Sequence, residues 1–201
     1  MDKHHLYLLA EAESAATAIF SEQVKPLFVF HNIEHTRRVV RAAREIMTNY
    51  ELEEIDRFAI LLSAWFHDTG FNAGYIENHE TQSIKIATDF LKQYQESDKV
   101  ISRVTACIAA TRMPQNPLTI PEMIICDADL FHLGTNDFPG MTELLRLEFQ
   151  EYFGKIFPKE DWDNHNIDFL TRHRYFTSYC QMKLEPGKVE WIKMLRRQRP
   201  G

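Results

Sequence analysis

Histidine and aspartate recur in this chain where polar side chains need a reason to be. His67-Asp68 closes the most apolar stretch of the sequence, FAILLSAWF from Phe58 to Phe66. An unpartnered carboxylate there costs several kcal/mol, so Asp68 must be protonated, ion-paired or metal-bound. His35 lies four residues before Val39 and eleven before Ile46, on the apolar stripe of another segment. IICDADLFHLG adds Asp127 and Asp129 inside a third. Two carboxylates in apolar surroundings raise each other's pKa unless a cation offsets their charge. One His-Asp pair could merely cap a helix, and one apolar-face histidine could be a satisfied core residue. Three such segments together are explained at once by a divalent cation, whose usual ligands are imidazole and carboxylate.

The elements that must position these residues are readable from apolar periodicity. Residues 3–22 predict an amphipathic helix, Ile33 to Asn49 a second and Glu53 to Asp68 a third, whose apolar-all-round second half belongs in a core. Gly70 and Gly74 mark a loop. Glu77 to Tyr94 predicts a fourth helix, and Ser97 or Asp98 caps a fifth running to Thr111. Pro121 suits the first turn of the helix carrying EMIICDADLFHL. Helices near 140–155 and 159–182 follow, and Pro186-Gly187 separates a short last one. The expectation is an all-α, single-domain helical bundle over 1–201 with about eight helices. Its core is about 25–135 and its C-terminal helices about 136–197. Strands at Leu27–Phe30 and Met123–Cys126 are the alternative, too short to change the class.

Composition narrows the function. Seven glycines and eight prolines in 201 residues supply few turns, against a many-stranded fold, and no two glycines lie two apart, against a dinucleotide or phosphate loop. A net charge of −6 gives no overall field for nucleic acid. The longest apolar segment is far short of a bilayer span, and Cys107, Cys126 and Cys180 form no CxxC pair. Reduced thiols in a cytoplasmic setting are expected. From Lys183 onward six basic residues (Lys183, Lys188, Lys193, Arg196, Arg197, Arg199) face two acidic ones, a solvated face or an anionic-surface segment. An exposed apolar helix face could support a homodimer.

His35, then His67-Asp68, then the Asp of Ala128-Asp129 resembles the ordered signature of the HD superfamily of metal-dependent phosphohydrolases, over roughly 25–135. FHNIEHTRRV, AWFHDTGF, NHE and CDADLFHLG resemble a bacterial HD phosphohydrolase subgroup. Residues 136–182, with HRYF at 173–176, are similar to HD domains that precede membrane segments. The resemblance implies metal ligands at His35, His67, Asp68 and Asp129, with Asp127 as the alternative to Asp129. By analogy with the cyclic-nucleotide phosphodiesterase branch, His31 would protonate a leaving oxygen, a role that suits an imidazole as a general acid near neutral pH. His79 and Glu80 match the next acidic-histidine element and would take a second ion or hold water. Many two-metal members carry a histidine pair that this chain lacks between His79 and His132, so one tightly held ion is expected.

Arg112, beside a proline-rich loop, could fork onto phosphate oxygens, with His132 and Arg174 of His173-Arg174-Tyr175 as further substrate contacts. His4, His5 and His165 read as surface residues. The implied activity is hydrolysis of a phosphoester or phosphoanhydride, of a nucleotide by analogy, with Mn, Fe, Co, Ni or Mg as the ion and zinc possible. The rival is a nucleotide-sensing regulatory module linked to a membrane or partner segment.

Overall fold

In the computed structural model, which describes residues 1–197, the chain forms nine α-helices and two 3-10 turns, with no strand among the described residues. The helices are α1 (Lys3–Glu22), α2 (Ile33–Met47), α3 (Glu54–Phe66), α4 (His79–Gln93), α5 (Asp98–Ala110), α6 (Ile120–Asp129), α7 (Phe138–Phe153), α8 (Lys159–Arg172) and α9 (Ser178–Arg197). Every residue of α3 from Phe58 to Phe66 is buried, because α1, α2, α5 and α6 all pack around it. The all-α expectation holds, and the segment proposed as a strand at 123–126 lies inside α6. Arg199 lies outside the described residues.

Local chemistry sets the helix starts. Asn32 accepts from the amides of Glu34 and His35 and caps α2, which begins at Ile33. Ser97 accepts from the Val100 amide and opens α5. Residues 69–73 are a 3-10 turn rather than a plain loop, and Gly70 is obligatory in it. A Cβ there would meet the His79 carbonyl oxygen at 1.9 Å, and the Gly70 amide donates to Ser83 Oγ at 2.8 Å. The start of α4 is thereby held against the end of α3.

Two boundaries near the C terminus differ from the periodic reading. The helix expected over 159–182 stops at Arg172, and residues 173–177 are irregular. Asp127 accepts from the amides of Phe176 and Thr177 at 2.9 and 2.8 Å, and Lys188 Nζ donates to the His173 carbonyl at 2.6 Å. Both partners are remote in sequence, so no local pattern signals the break. Conversely, α9 runs unbroken through Pro186 and Gly187. Cβ atoms built on Gly134 and Gly187 would lie 2.3 Å from the Leu184 carbonyl oxygen and 2.2 Å from the Gly134 carbonyl oxygen. The glycines serve close packing of α9 on the 3-10 turn 131–134, and packing outweighs the lost helical hydrogen bond. Within the basic tail the three lysines have acidic partners. Lys183 pairs with Glu45, Lys193 with Glu190, and Lys188 is buried against Glu185.

His173 is enclosed with neither ring nitrogen hydrogen-bonded, and burial, then the Lys188 charge, pushes its pKa down to about 3. Two outcomes follow. Gly187→Ala, helix-favouring in isolation, should destabilise the protein by about 1–3 kcal/mol in denaturant unfolding, because the new methyl meets backbone. The unfolded chain protonates His173 near pH ~6.5 whereas the folded chain refuses the proton until about pH 3. Stability is therefore full above the upper value and lost as pH falls through the window, by at most about 1.4 kcal/mol per pH unit from this group. His173→Phe should flatten that slope between pH 6.5 and 4.5, and an unchanged slope refutes the assignment.

Candidate functional site

Four helices deliver polar side chains to the carboxyl end of α3. His35 comes from the first turn of α2, His67 and Asp68 from the end of α3, Asp129 from the last residue of α6, and His79 and Glu80 from the start of α4. His35 Nε2 lies 3.2 Å from Asp129 Oδ1, 3.4 Å from Asp68 Oδ2 and 3.4 Å from His67 Nε2. His67 Nε2 is 3.2 Å from Asp68 Oδ2 and 3.6 Å from Asp129 Oδ1. His35, His67 and Asp129 each offer a ligand atom within 4.8 Å of the others. Asp68 Oδ2, close to both imidazoles, is buried without a hydrogen-bond partner.

The donor chemistry fits a divalent cation. His67 Nδ1 donates to the Ala64 carbonyl at 3.0 Å, which leaves the Nε2 lone pair facing His35, Asp68 and Asp129. His79 is fixed likewise, Nδ1 donating to the Ile76 carbonyl at 2.7 Å, with Nε2 3.5 Å from Asp68 Oδ1 and 3.7 Å from Glu80 Oε1. Burial works against every charge here, yet the opposite charges outweigh it. Asp68 lies well below the ordinary carboxylate range beside His67, Asp129 is lowered by its bonds to His35 and His67, and His67 is raised well above its usual value by Asp68. His79 is raised too, against its burial, by Asp68. The group thus pairs negative oxygens with whatever positive charge is present, protons or a metal ion.

Asp127 is not free to join them. Its two oxygens accept from Phe176, Thr177 and the Thr177 hydroxyl, so it anchors the entry to α9. Two residues apart on α6, Asp127 and Asp129 face roughly 200° apart around the axis.

His31 precedes α2 rather than sharing its face with His35. Its Nδ1 donates to Glu148 of α7, whose other oxygen accepts from the Phe30 and His31 amides at 2.8 and 3.0 Å. Glu148 is fully buried, and it is the residue that sequence reasoning missed. A glutamate within the helical run LLRLEFQEYF gave no signal beyond its apolar neighbours. With Nδ1 committed, His31 Nε2 is left for other partners. The His31 ring stacks on Phe71 at 4.3 Å, and Phe71 stacks on His79 at 4.2 Å.

A cavity of about 480 Å³ adjoins this group and is lined by Asp68 and Asp129 together with His31, His79, Glu80, Arg112 and His132. Arg112 donates to Thr81 Oγ1 at 2.8 Å, and its Nε is 3.6 Å from Glu80 Oε2. His132 is held neutral, its pKa pushed to about 4 by burial and by His35. Arg174, expected at the substrate, is exposed and not among the residues lining the cavity, because the irregular segment 173–177 turns Tyr175 inward instead. His165 is exposed, as its surface reading expects, and also borders the cavity, whereas His5 is tucked against Phe58 at 4.1 Å.

A family model described as HD domain matches residues 32–134. No match is found to a curated protein or to a solved structure. The matched span contains His35, His67, Asp68, His79, Glu80, Arg112, Asp129 and His132 but neither His31 nor Glu148.

Asp129→Asn should abolish retention of Mn or Fe by the purified protein in elemental analysis while leaving folding intact. Asp127→Asn should keep the metal but destabilise the fold by about 1–3 kcal/mol, since one of its two acceptor oxygens becomes an NH2 facing a backbone amide donor. The opposite pattern would reverse the assignment of the two aspartates.

Proposed function

Since the chain belongs to the HD-domain family, we propose that it is a metal-dependent phosphohydrolase that cleaves a phosphoester or phosphoanhydride, with a nucleotide as the substrate class to test first. The observation that carries this reading is the convergence of His35, His67 and Asp129 within 4.8 Å, beside the orphaned Asp68 Oδ2. His35, His67, Asp68 and Asp129 would hold one divalent ion, with Mn, Fe, Co, Ni and Mg suited to mixed nitrogen and oxygen donors, and zinc permitted. Such an ion, when bound, makes water acidic near neutral pH and offsets phosphoryl charge.

The chain's own residues do the rest. Asp68 and Asp129 accept hydrogen bonds and orient water on the cavity side. His79 and Glu80 border the same space and hold a further water or substrate oxygen. Arg112 neutralises Glu80 at rest and can turn its remaining donors onto phosphoryl oxygens. His31, its Nδ1 tied to Glu148, delivers a proton from Nε2 to the departing oxygen. Phe71 stacks on both His31 and His79, whose rings lie 6.3 Å apart, and lines the cavity beside them.

The test is hydrolysis of a panel of nucleoside mono-, di- and triphosphates and cyclic nucleotides with each ion. Turnover that Asp68→Asn or His67→Ala removes is expected. Tight nucleotide binding without turnover in any ion would leave a sensing module instead. His31→Ala should lower kcat by about 10²–10⁴ for esters of poorly acidic alcohols and far less for 4-nitrophenyl esters, whose leaving group needs no proton. An equal loss for both would remove His31 from that role.

A further inference from the structure

The cavity changes character away from the metal ligands. Besides the polar group, its lining includes Leu133, Phe138, Leu145, Phe149 and Phe169, contributed by the 3-10 turn 131–134 and by α7 and α8. Whatever part of a ligand enters there exchanges water for aliphatic and phenyl surface. A polyhydroxylated or charged group would lose more hydration than the few polar groups there replace.

Thr142, His165 and Asn166 interrupt this lining with polar groups. Asn166 is 6% exposed, lines the cavity, and its Nδ2 has no hydrogen-bond partner. The orientation of the amide follows from its neighbours. Trp162 Nε1, which can only donate, gives its proton to Thr142 Oγ1 at 3.0 Å and to the Thr142 carbonyl at 3.1 Å. The Thr142 hydroxyl, 2.9 Å from Asn166, passes its own proton to Oδ1. With Oδ1 taken by the Thr142 hydroxyl, the amide NH2 is the free end. A buried donor with no partner, beside an apolar hollow, is a site for an acceptor brought by a ligand.

We propose that this arm is the subsite for the group leaving the phosphorus. It takes an uncharged, flat, mainly apolar ring carrying a hydrogen-bond acceptor, which Asn166 Nδ2 engages while the phenyl side chains pack its faces. Nucleobases and acyl-substituted phenols share this chemistry. The inference rests on the phosphohydrolase reading for the name "leaving group", but the subsite itself can be read by binding alone. It assigns specificity to α7 and α8, beyond the span matched by the family model.

The test uses calorimetric titration of the intact chain with phenol, 4-hydroxyacetophenone, uridine and ribose. The acetyl compound should bind about tenfold tighter than phenol, the worth of one hydrogen bond. Ribose should not bind measurably. Asn166→Leu should erase the preference while leaving phenol affinity unchanged. Asn166→Asp, which replaces the donor by an acceptor, should erase it too and serves if the leucine variant melts early. Uridine tighter than the acetyl compound assigns a nucleobase to the arm, and the reverse order assigns an aryl group. Equal binding of phenol and 4-hydroxyacetophenone, a preference that survives both substitutions, ribose binding as well as the rings, or no ring binding at all overturns the proposal. Ring selectivity without hydrolysis of any phosphate ester rejects only the phosphohydrolase reading. Hydrolysis without ring selectivity rejects only the subsite.

Discussion

The end of α3 is where a helix buried throughout from Phe58 to Phe66 delivers an imidazole and a carboxylate into the interior. His67 and Asp68 are 1% and 3% exposed, so neither is freely hydrated. Opposite charge must therefore be supplied by neighbours, and the surrounding helices are arranged to supply it. The amide cap of Asn32 aims His35 inward from α2, the last residue of α6 brings Asp129, and Gly70 lets α4 approach closely enough to bring His79 and Glu80. Depressed carboxylates and raised imidazoles are the electrostatic consequence. In buried surroundings this cluster is stable only when its oxygens are neutralised, so protons and a metal ion compete for the same place.

Helices α7 to α9 are bound into that arrangement rather than appended to it. Glu148 of α7 reaches the backbone just before α2 and sets the tautomer of His31. Asp127 of α6 ties down the entry to α9, which in turn packs on the turn after Asp129 through Gly134 and Gly187. Part of the cavity's apolar lining comes from these same elements. The chemistry and the shape of what can be accommodated thus come from different parts of the chain, which is how one fold serves several substrates.

Much of the frame is legible from pattern. The first five helices appear close to where periodicity places them, Ser97 caps α5, and Pro121 sits in the first turn of α6. The deviations cluster at the C terminus. A helix read through to 182 ends at Arg172, and one read as broken at Pro186-Gly187 continues. In both cases a remote contact overrides a local preference, the Asp127 carboxylate in one and the Gly134 backbone in the other. Arg174 was reached by sequence neighbourhood to His173 and Tyr175, but the irregular backbone there sends adjacent side chains in opposite directions, and Arg174 faces solvent.

What the residues alone determine is that His35, His67, Asp68 and an aspartate of the CDAD segment must share a counter-charge, because apolar surroundings forbid isolated ionised groups. They also determine an all-helical frame, since apolar periodicity is a local property of the chain. Only the tertiary structure decides which aspartate joins the cluster, that Glu148 is the partner of His31, and that Asn166 stands with its amide unpaired beside the cavity. Hydrogen bonds form at about 3 Å, between groups that folding brings together from more than a hundred residues apart. Helical periodicity reports which face of a segment is buried, and carries no information on what that face will meet.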